Sequence, residues 1–137
     1  MTGISKQRRA EKVGESEYQA QCAVIKWAAV MEQRHPELKL LKSNLEGIFL
    51  GGSKKHRAIT VAKQKAAGMR PGWPDLELPV GKLGFLGLFI ELKVGKNKPS
   101  PNQIEYLDAL RGAGNAVYVA YGSAQAIRII SSYLDIK

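Results

Sequence analysis

The chain has 137 residues, 45% of them hydrophobic and 24% charged, and its 21 Lys and Arg against 12 Asp and Glu give a net charge of +9. That usage excludes a largely disordered chain, and the length is that of one domain able to bury a core. The single cysteine, Cys22, excludes an internal disulfide and a multi-cysteine zinc site, and no apolar run has the length of a signal peptide or a membrane span, so a soluble, cytoplasmic protein is expected.

Residues 1–14 are polar and basic without apolar periodicity and read as a flexible basic arm, leaving 15–137 as the folded domain. From Ser16, Tyr18, Cys22, Ile25, Ala28 and Ala29 recur at helical spacing to about Gln33, before Pro36 stops the pattern. Leu38 to Leu41 alternates with Lys39 and Lys42 as a short strand, and Asn44, Gly47, Gly51 and Gly52 make a loop. Lys54 to Ala67 forms a second, basic helix closed by Gly68. Pro71-Gly72-Trp73-Pro74 is a rigid turn into a strand over Asp75 to Leu78, and a bend over Gly81 to Gly84 leads into the apolar central strand Gly87 to Val94. Ser100 caps a helix with Pro101 at its first position and Ile104, Leu107 and Leu110 on one face. Ala116 to Tyr121 is a buried strand, and Ser123 to Leu134 a final amphipathic helix. The order α-β-α-β-β-α-β-α specifies an α/β fold with a mixed sheet flanked by helices.

The charge is unevenly placed. Lys39, Lys42, Lys54, Lys55, Arg57, Lys63, Lys65 and Arg70 face only one acid, Glu46, between positions 39 and 70. A solvated helix face explains part of such a run, but a phosphate-binding face explains it better, because neutralising phosphates releases counterions. Lys42, Lys54, Lys55, His56, Arg57, Lys63 and Arg70 are the expected contacts to a phosphate-bearing ligand. His56, inside Lys54-Lys55-His56-Arg57, reads as a phosphate neighbour rather than a catalytic base.

Two charges interrupt the apolar strand Leu88-Phe89-Ile90-Glu91-Leu92-Lys93-Val94. Side chains alternate along a strand, so Glu91 and Lys93 share a face while Leu92 enters the opposite layer. Glu-x-Lys alone is a weak signal, since any exposed strand face produces it as a surface ion pair. With Asp75 sixteen positions earlier on a paired strand, however, two carboxylates and one ammonium converge. Close carboxylates repel, and a divalent cation with a preference for hard oxygen ligands, Mg²⁺ or Mn²⁺, relieves that repulsion. Glu77 sits two residues beyond Asp75 and reads as a solvated charge rather than a second ligand. Trp73 reads as a packed turn residue rather than a base-stacking one.

These motifs resemble the PD-(D/E)XK nuclease superfamily and, within it, the stand-alone VRR-NUC domains of phages and bacteria. The resemblance runs from Ser16 to about Tyr133. It rests on Ser16-Glu17 with Gln21 and Trp27, on Gly68-Met69-Arg70-Pro71-Gly72-Trp73-Pro74-Asp75, on Gly87 to Lys93, on Ser100-Pro101-Asn102-Gln103 and on Gly114. It implies a restriction-endonuclease-like fold and a metal-dependent DNA endonuclease. By resemblance Asp75, Glu91 and the Leu92 main-chain carbonyl are metal ligands, Lys93 is the catalytic lysine, Glu17 contributes to the metal site or its water shell, and Gln103 positions the site. Helix-terminus chemistry is the competing reading for both, since Glu17 suits a helix N-terminus and Gln103 suits capping. Glu15 is a less favoured substitute for Glu17. The loop around Asn44-Leu45-Glu46-Gly47 departs from the family pattern.

The resemblance also implies branched substrates such as flaps or Holliday junctions, and a homodimer for symmetric cuts in a two-fold junction. Two other readings compete with it: a non-catalytic DNA-binding protein that keeps the nuclease fold, and an RNA-directed nuclease. The complete set Asp75, Glu91 and Lys93 counts against the first of these.

Overall fold

The computed structural model describes residues 14–44 and 52–137. The expected basic arm, apart from Gly14, and the expected glycine loop between Asn44 and Gly52 lie outside the described residues.

Ser16 starts helix α1 (Glu17–Met31) with a capping box: its hydroxyl accepts the Gln19 N–H at 3.1 Å and its own N–H donates to the Gln19 amide oxygen at 2.9 Å. Ala20, Val24 and Ala28 recur every fourth residue and form the buried stripe of this helix. Pro36 does not begin a strand. It sits at the start of a 3-10 turn, Pro36–Leu40, which drives Leu38 into the core at 3% exposure. The expected strand over Leu38 to Leu41 is therefore corrected: proline's fixed φ suits the first helical position, and extended pairing begins only at β1 (Lys42–Ser43).

Helix α2 (Lys54–Ala66) is capped by the Ser53 hydroxyl and buries none of its residues. It ends on Gly68 at φ +104°, with the Gly68 and Met69 N–H groups returning to the carbonyls of Lys65 and Gln64. This left-handed ending is the role the glycine signalled. The chain continues through β2 (Leu76–Leu78), β3 (Leu88–Lys93), α3 (Pro101–Gly112), β4 (Ala116–Tyr121) and α4 (Ser123–Leu134).

The four strands lie in chain order, β1 to β3 antiparallel and β4 parallel to β3. The result is a mixed α/β sheet flanked by helices. Leu76 and Leu78 of β2, Leu88, Ile90 and Leu92 of β3, and Ala116 and Ala120 of β4 join Ala20, Val24 and Ala28 of α1 and Ala126, Ile130, Tyr133 and Leu134 of α4 in one core. Strand alternation sends Phe89, Glu91 and Lys93 to the opposite face. There Trp73 meets Phe89 edge-on at 5.9 Å between ring centroids and Tyr106 of α3 at 5.7 Å. Its ring is thus packed between β3 and α3.

Candidate active site

The site is built where β2 begins and β3 ends. Leu76 pairs with Ile90, and in this antiparallel register Asp75 falls opposite Glu91. Asp75 is held from two sides. Its main-chain carbonyl accepts the Asn44 N–H at 2.7 Å, and the Asn44 carbonyl in turn accepts the Gln21 side-chain amide of α1 at 3.2 Å. Its carboxylate accepts the Leu92 N–H at 2.7 Å. A strand residue that donates across one edge also turns its carbonyl to that edge, so the Leu92 carbonyl faces the same side as Asp75.

Glu91 is 1% exposed and Lys93 7%, the two buried charged residues among those described. The Lys93 ammonium lies 3.5 Å from Glu91 Oε1 and 4.0 Å from Oε1 of Glu17, whose side chain is more open to solvent. Glu91 Oε2 has no hydrogen-bond partner although it is buried. Burial, followed by the neighbouring Asp75 charge, pushes the Glu91 carboxyl up from its ordinary 4.5 to about 8, with Lys93 opposing the rise. Burial likewise raises Asp75, offset by the Leu92 N–H. Two carboxylates in this position cannot both stay ionised cheaply beside one ammonium; a proton or a divalent cation must settle the excess negative charge.

The residues fit a divalent cation on two counts. Glu91 Oε2 is buried with no N–H donor and has only the Asp75 carboxyl to share a proton with, and two carboxylates with a main-chain carbonyl form a hard oxygen set. Among the described residues no three His, Cys, Asp or Glu side chains converge to hold an ion by themselves. Glu17 reaches the site along its Lys93 side, and its charge adds to the forces that raise the Asp75 carboxyl.

The remaining expected residues fall into three groups. Gln103 closes a capping box at the start of α3: its amide oxygen accepts the Ser100 N–H at 2.8 Å and its own N–H donates to the Ser100 hydroxyl at 3.2 Å. Glu15 caps α4 instead of facing the site. One of its oxygens accepts the Ser123 N–H at 2.8 Å and the other the Ser123 hydroxyl at 2.6 Å, which supplies the side-chain cap that Gly122 lacks. Of the basic residues, Lys54, Lys55, Arg57 and Lys63 are exposed along α2 and Arg70 is exposed in the turn before Pro71. His56 donates its N–H to the Ser53 hydroxyl within the α2 cap. Lys42 lies 3.3 Å from Glu77, so these two charges are paired across β1 and β2.

Asn97 and Asn44 were not expected at the site. Asn97, in the loop leaving β3, donates its amide to Glu17 Oε1 at 3.5 Å. Its only trace in the sequence is its place in the turn Gly95-Lys96-Asn97-Lys98-Pro99.

The VRR-NUC domain matches residues 6–124 of the chain. Among solved structures, a VRR_NUC domain protein is 26% identical, covers 90% of this chain and 91% of its own, and superposes with a TM-score of 0.71. Comparison with curated proteins gives no match.

Proposed function

The chain belongs to the VRR-NUC domain family, whose fold is of nuclease type, and we propose that it is a metal-dependent endonuclease that hydrolyses DNA phosphodiester bonds. The observation that carries this reading is the buried, unpartnered Glu91 Oε2 beside Asp75, with Lys93 against the same carboxylate. A charged set taken out of water this far is costly unless it has a partner or a task.

Asp75, Glu91 and the Leu92 carbonyl hold Mg²⁺ or Mn²⁺ in this reading. A bound ion of this kind supplies Lewis acidity toward a phosphoryl oxygen and toward water. Lys93 directs its ammonium to the attacking water or to a non-bridging oxygen of the scissile phosphate, where negative charge builds as the P–O bond to the leaving oxygen breaks. Glu17 holds the Lys93 side chain in place and offers an oxygen to the surrounding water. Gln103 fixes the start of α3 behind the catalytic strand. Lys54, Lys55, His56, Arg57, Lys63 and Arg70 draw the DNA backbone in, with Lys42 joining them when it leaves Glu77.

The family resemblance favours selection by DNA shape, with flaps and Holliday junctions as substrates. Symmetric cutting of a four-way junction calls for a homodimer. No helix among the described residues is long and apolar enough to cross a membrane. The setting proposed from the family resemblance is the cytoplasm of a bacterial cell.

The test is cleavage of labelled duplex, flap and four-way-junction DNA, and of labelled RNA, by wild type and Asp75→Ala in Mg²⁺, Mn²⁺ or EDTA. Metal-dependent cleavage that Asp75→Ala loses while still binding DNA supports the reading. Tight binding without cleavage under every metal replaces it with a DNA-binding protein on a nuclease fold. Cleavage confined to RNA transfers the activity to the other nucleic acid.

A further inference from the structure

Asp75 lies one residue before the β2 ladder, where its carbonyl accepts the Asn44 N–H and its carboxylate the Leu92 N–H. The turn that delivers it, Pro71-Gly72-Trp73-Pro74, is fastened separately to the first turn of α3. Asn102 donates its side-chain amide to the Pro71 carbonyl at 2.5 Å. Gly72 sits against the same residue at φ +92°: an added Cβ would lie 2.7 Å from the Asn102 amide nitrogen and 3.2 Å from its main-chain carbonyl carbon. Only glycine allows both that backbone conformation and that approach. Trp73 is packed between Phe89 and Tyr106, and Pro74 is fully buried. The residues on either side of Asn102 belong to the α3 cap, which begins at Ser100 directly after the loop leaving Lys93.

We propose that Asn102 is a positioning residue for Asp75, acting through its hydrogen bond to Pro71 and its packing on Gly72. This proposal rests on the reading of Asp75 as a metal ligand. The first turn of α3 then sets two distances together, because it follows the exit of β3 on one side and clasps the entry to β2 on the other. Metal ligands tolerate displacements of about half an ångström before affinity falls. A clasp at Pro71 and Gly72, four and three residues before the ligand, is placed to control that displacement, in the way residues behind a ligand tune metal affinity.

The experiment titrates Mn²⁺ calorimetrically into the full-length, metal-free protein without DNA, and follows DNA cleavage under single turnover. Asn102→Ala is expected to weaken Mn²⁺ binding about fivefold, as the net loss of one hydrogen bond implies. It should lower the maximal cleavage rate about tenfold while the KM for DNA stays within about twofold. Asn102→Asp keeps the size of the side chain but turns an oxygen toward the Pro71 carbonyl. Its added charge alone would tighten cation binding, so weaker binding in this variant marks the lost donor. Ile130→Val, in the core formed with α4, serves as a stability control: it lowers the Tm and leaves Mn²⁺ affinity unchanged. The proposal is overturned if Asn102→Ala binds Mn²⁺ within twofold of wild type, or if Ile130→Val weakens binding as much at an equal loss of Tm. Asp75→Ala separates the two levels: if it still binds Mn²⁺ and cleaves DNA, the metal-site reading itself fails, whatever Asn102 does.

Discussion

The acidic site between β2 and β3 and the basic helix α2 handle charge in opposite ways. Glu91 and Lys93 are buried in the sheet, where desolvation makes each charge expensive and raises the Glu91 carboxyl to about 8. Helix α2 carries Lys54, Lys55, Arg57, Lys63 and Lys65, and buries none of its residues. Buried charge is strong at short range and intolerant of change; exposed charge is screened, additive and acts over about a Debye length. Under the proposed function, chemistry falls to the first region and attraction of an anionic polymer to the second.

The largest effect should come from the pocket. Asp75→Asn keeps the shape of the side chain and removes one of two competing charges. We expect single-turnover cleavage to fall about a thousandfold or more, comparable to losing a principal group that stabilises the transition state. The metal-free protein should melt no lower than wild type, because the repulsion on Glu91 is relieved. A variant that is both inactive and strongly destabilised would mean that the pocket is structural.

Removing charge from α2 should do the reverse. Lys54→Ala, Lys55→Ala and Lys63→Ala combined are expected to reduce the dependence of log affinity on log salt by about three, close to one per lysine. The single-turnover rate at saturating DNA and the Tm should both stay unchanged, since no packed residue is touched. A loss of rate at saturation would erase the distinction between the two regions.

The pH dependence of stability sharpens the contrast further, because only the pocket contributes to it strongly. The folded Glu91 carboxyl titrates at about 8 against its ordinary 4.5, so the folded protein holds this proton more tightly. Its contribution is fully present below pH about 4.5, declines as pH rises and is lost above about 8. Asp75, also raised, acts with the same sign. Thermal melts of the metal-free protein should therefore fall in Tm across this window. Mn²⁺, which competes with the proton, should raise the Tm more at pH 8.5 than at pH 6.

The smallest expected effect lies at the α3 cap, outside both regions. Ser100→Ala should cost about 1 kcal/mol, the usual worth of an N-cap, and lower the Tm by a few degrees. Urea titration measures the loss.

How far the sequence disclosed all this depends on the range of the interaction. Strands β3 and β4 and helix α4 were legible because alternation, an apolar run and flanking glycines are local signals. Glu91 and Lys93 were legible because two charges in an apolar strand conflict with burial. Pro36–Leu40 misled, since the alternation of Leu38 to Leu41 imitates a strand while proline favours a helical start. Gln103 was readable as a cap from Ser100 three residues earlier. Glu15 was not, because its partner Ser123 is 108 positions away and α4 begins on a glycine with no side chain to announce the need for a cap. Asn44 and Asn97 were equally hidden as supports, for the first acts through its main chain and the second through its side-chain amide, each meeting a distant segment; Gln21 was visible on the face of Glu17, but its partner Asn44 was not.

The most direct test of the central claim, that Asp75 and Glu91 form a divalent-cation site, is calorimetric titration of Mn²⁺ into the metal-free, DNA-free protein at pH 7 in two buffers of different ionisation enthalpy. The account predicts binding of the ion with release of close to one proton, since Glu91 is largely protonated at that pH, and loss of both in Asp75→Ala. Binding that persists in Asp75→Ala, or no binding by the wild type, would contradict it.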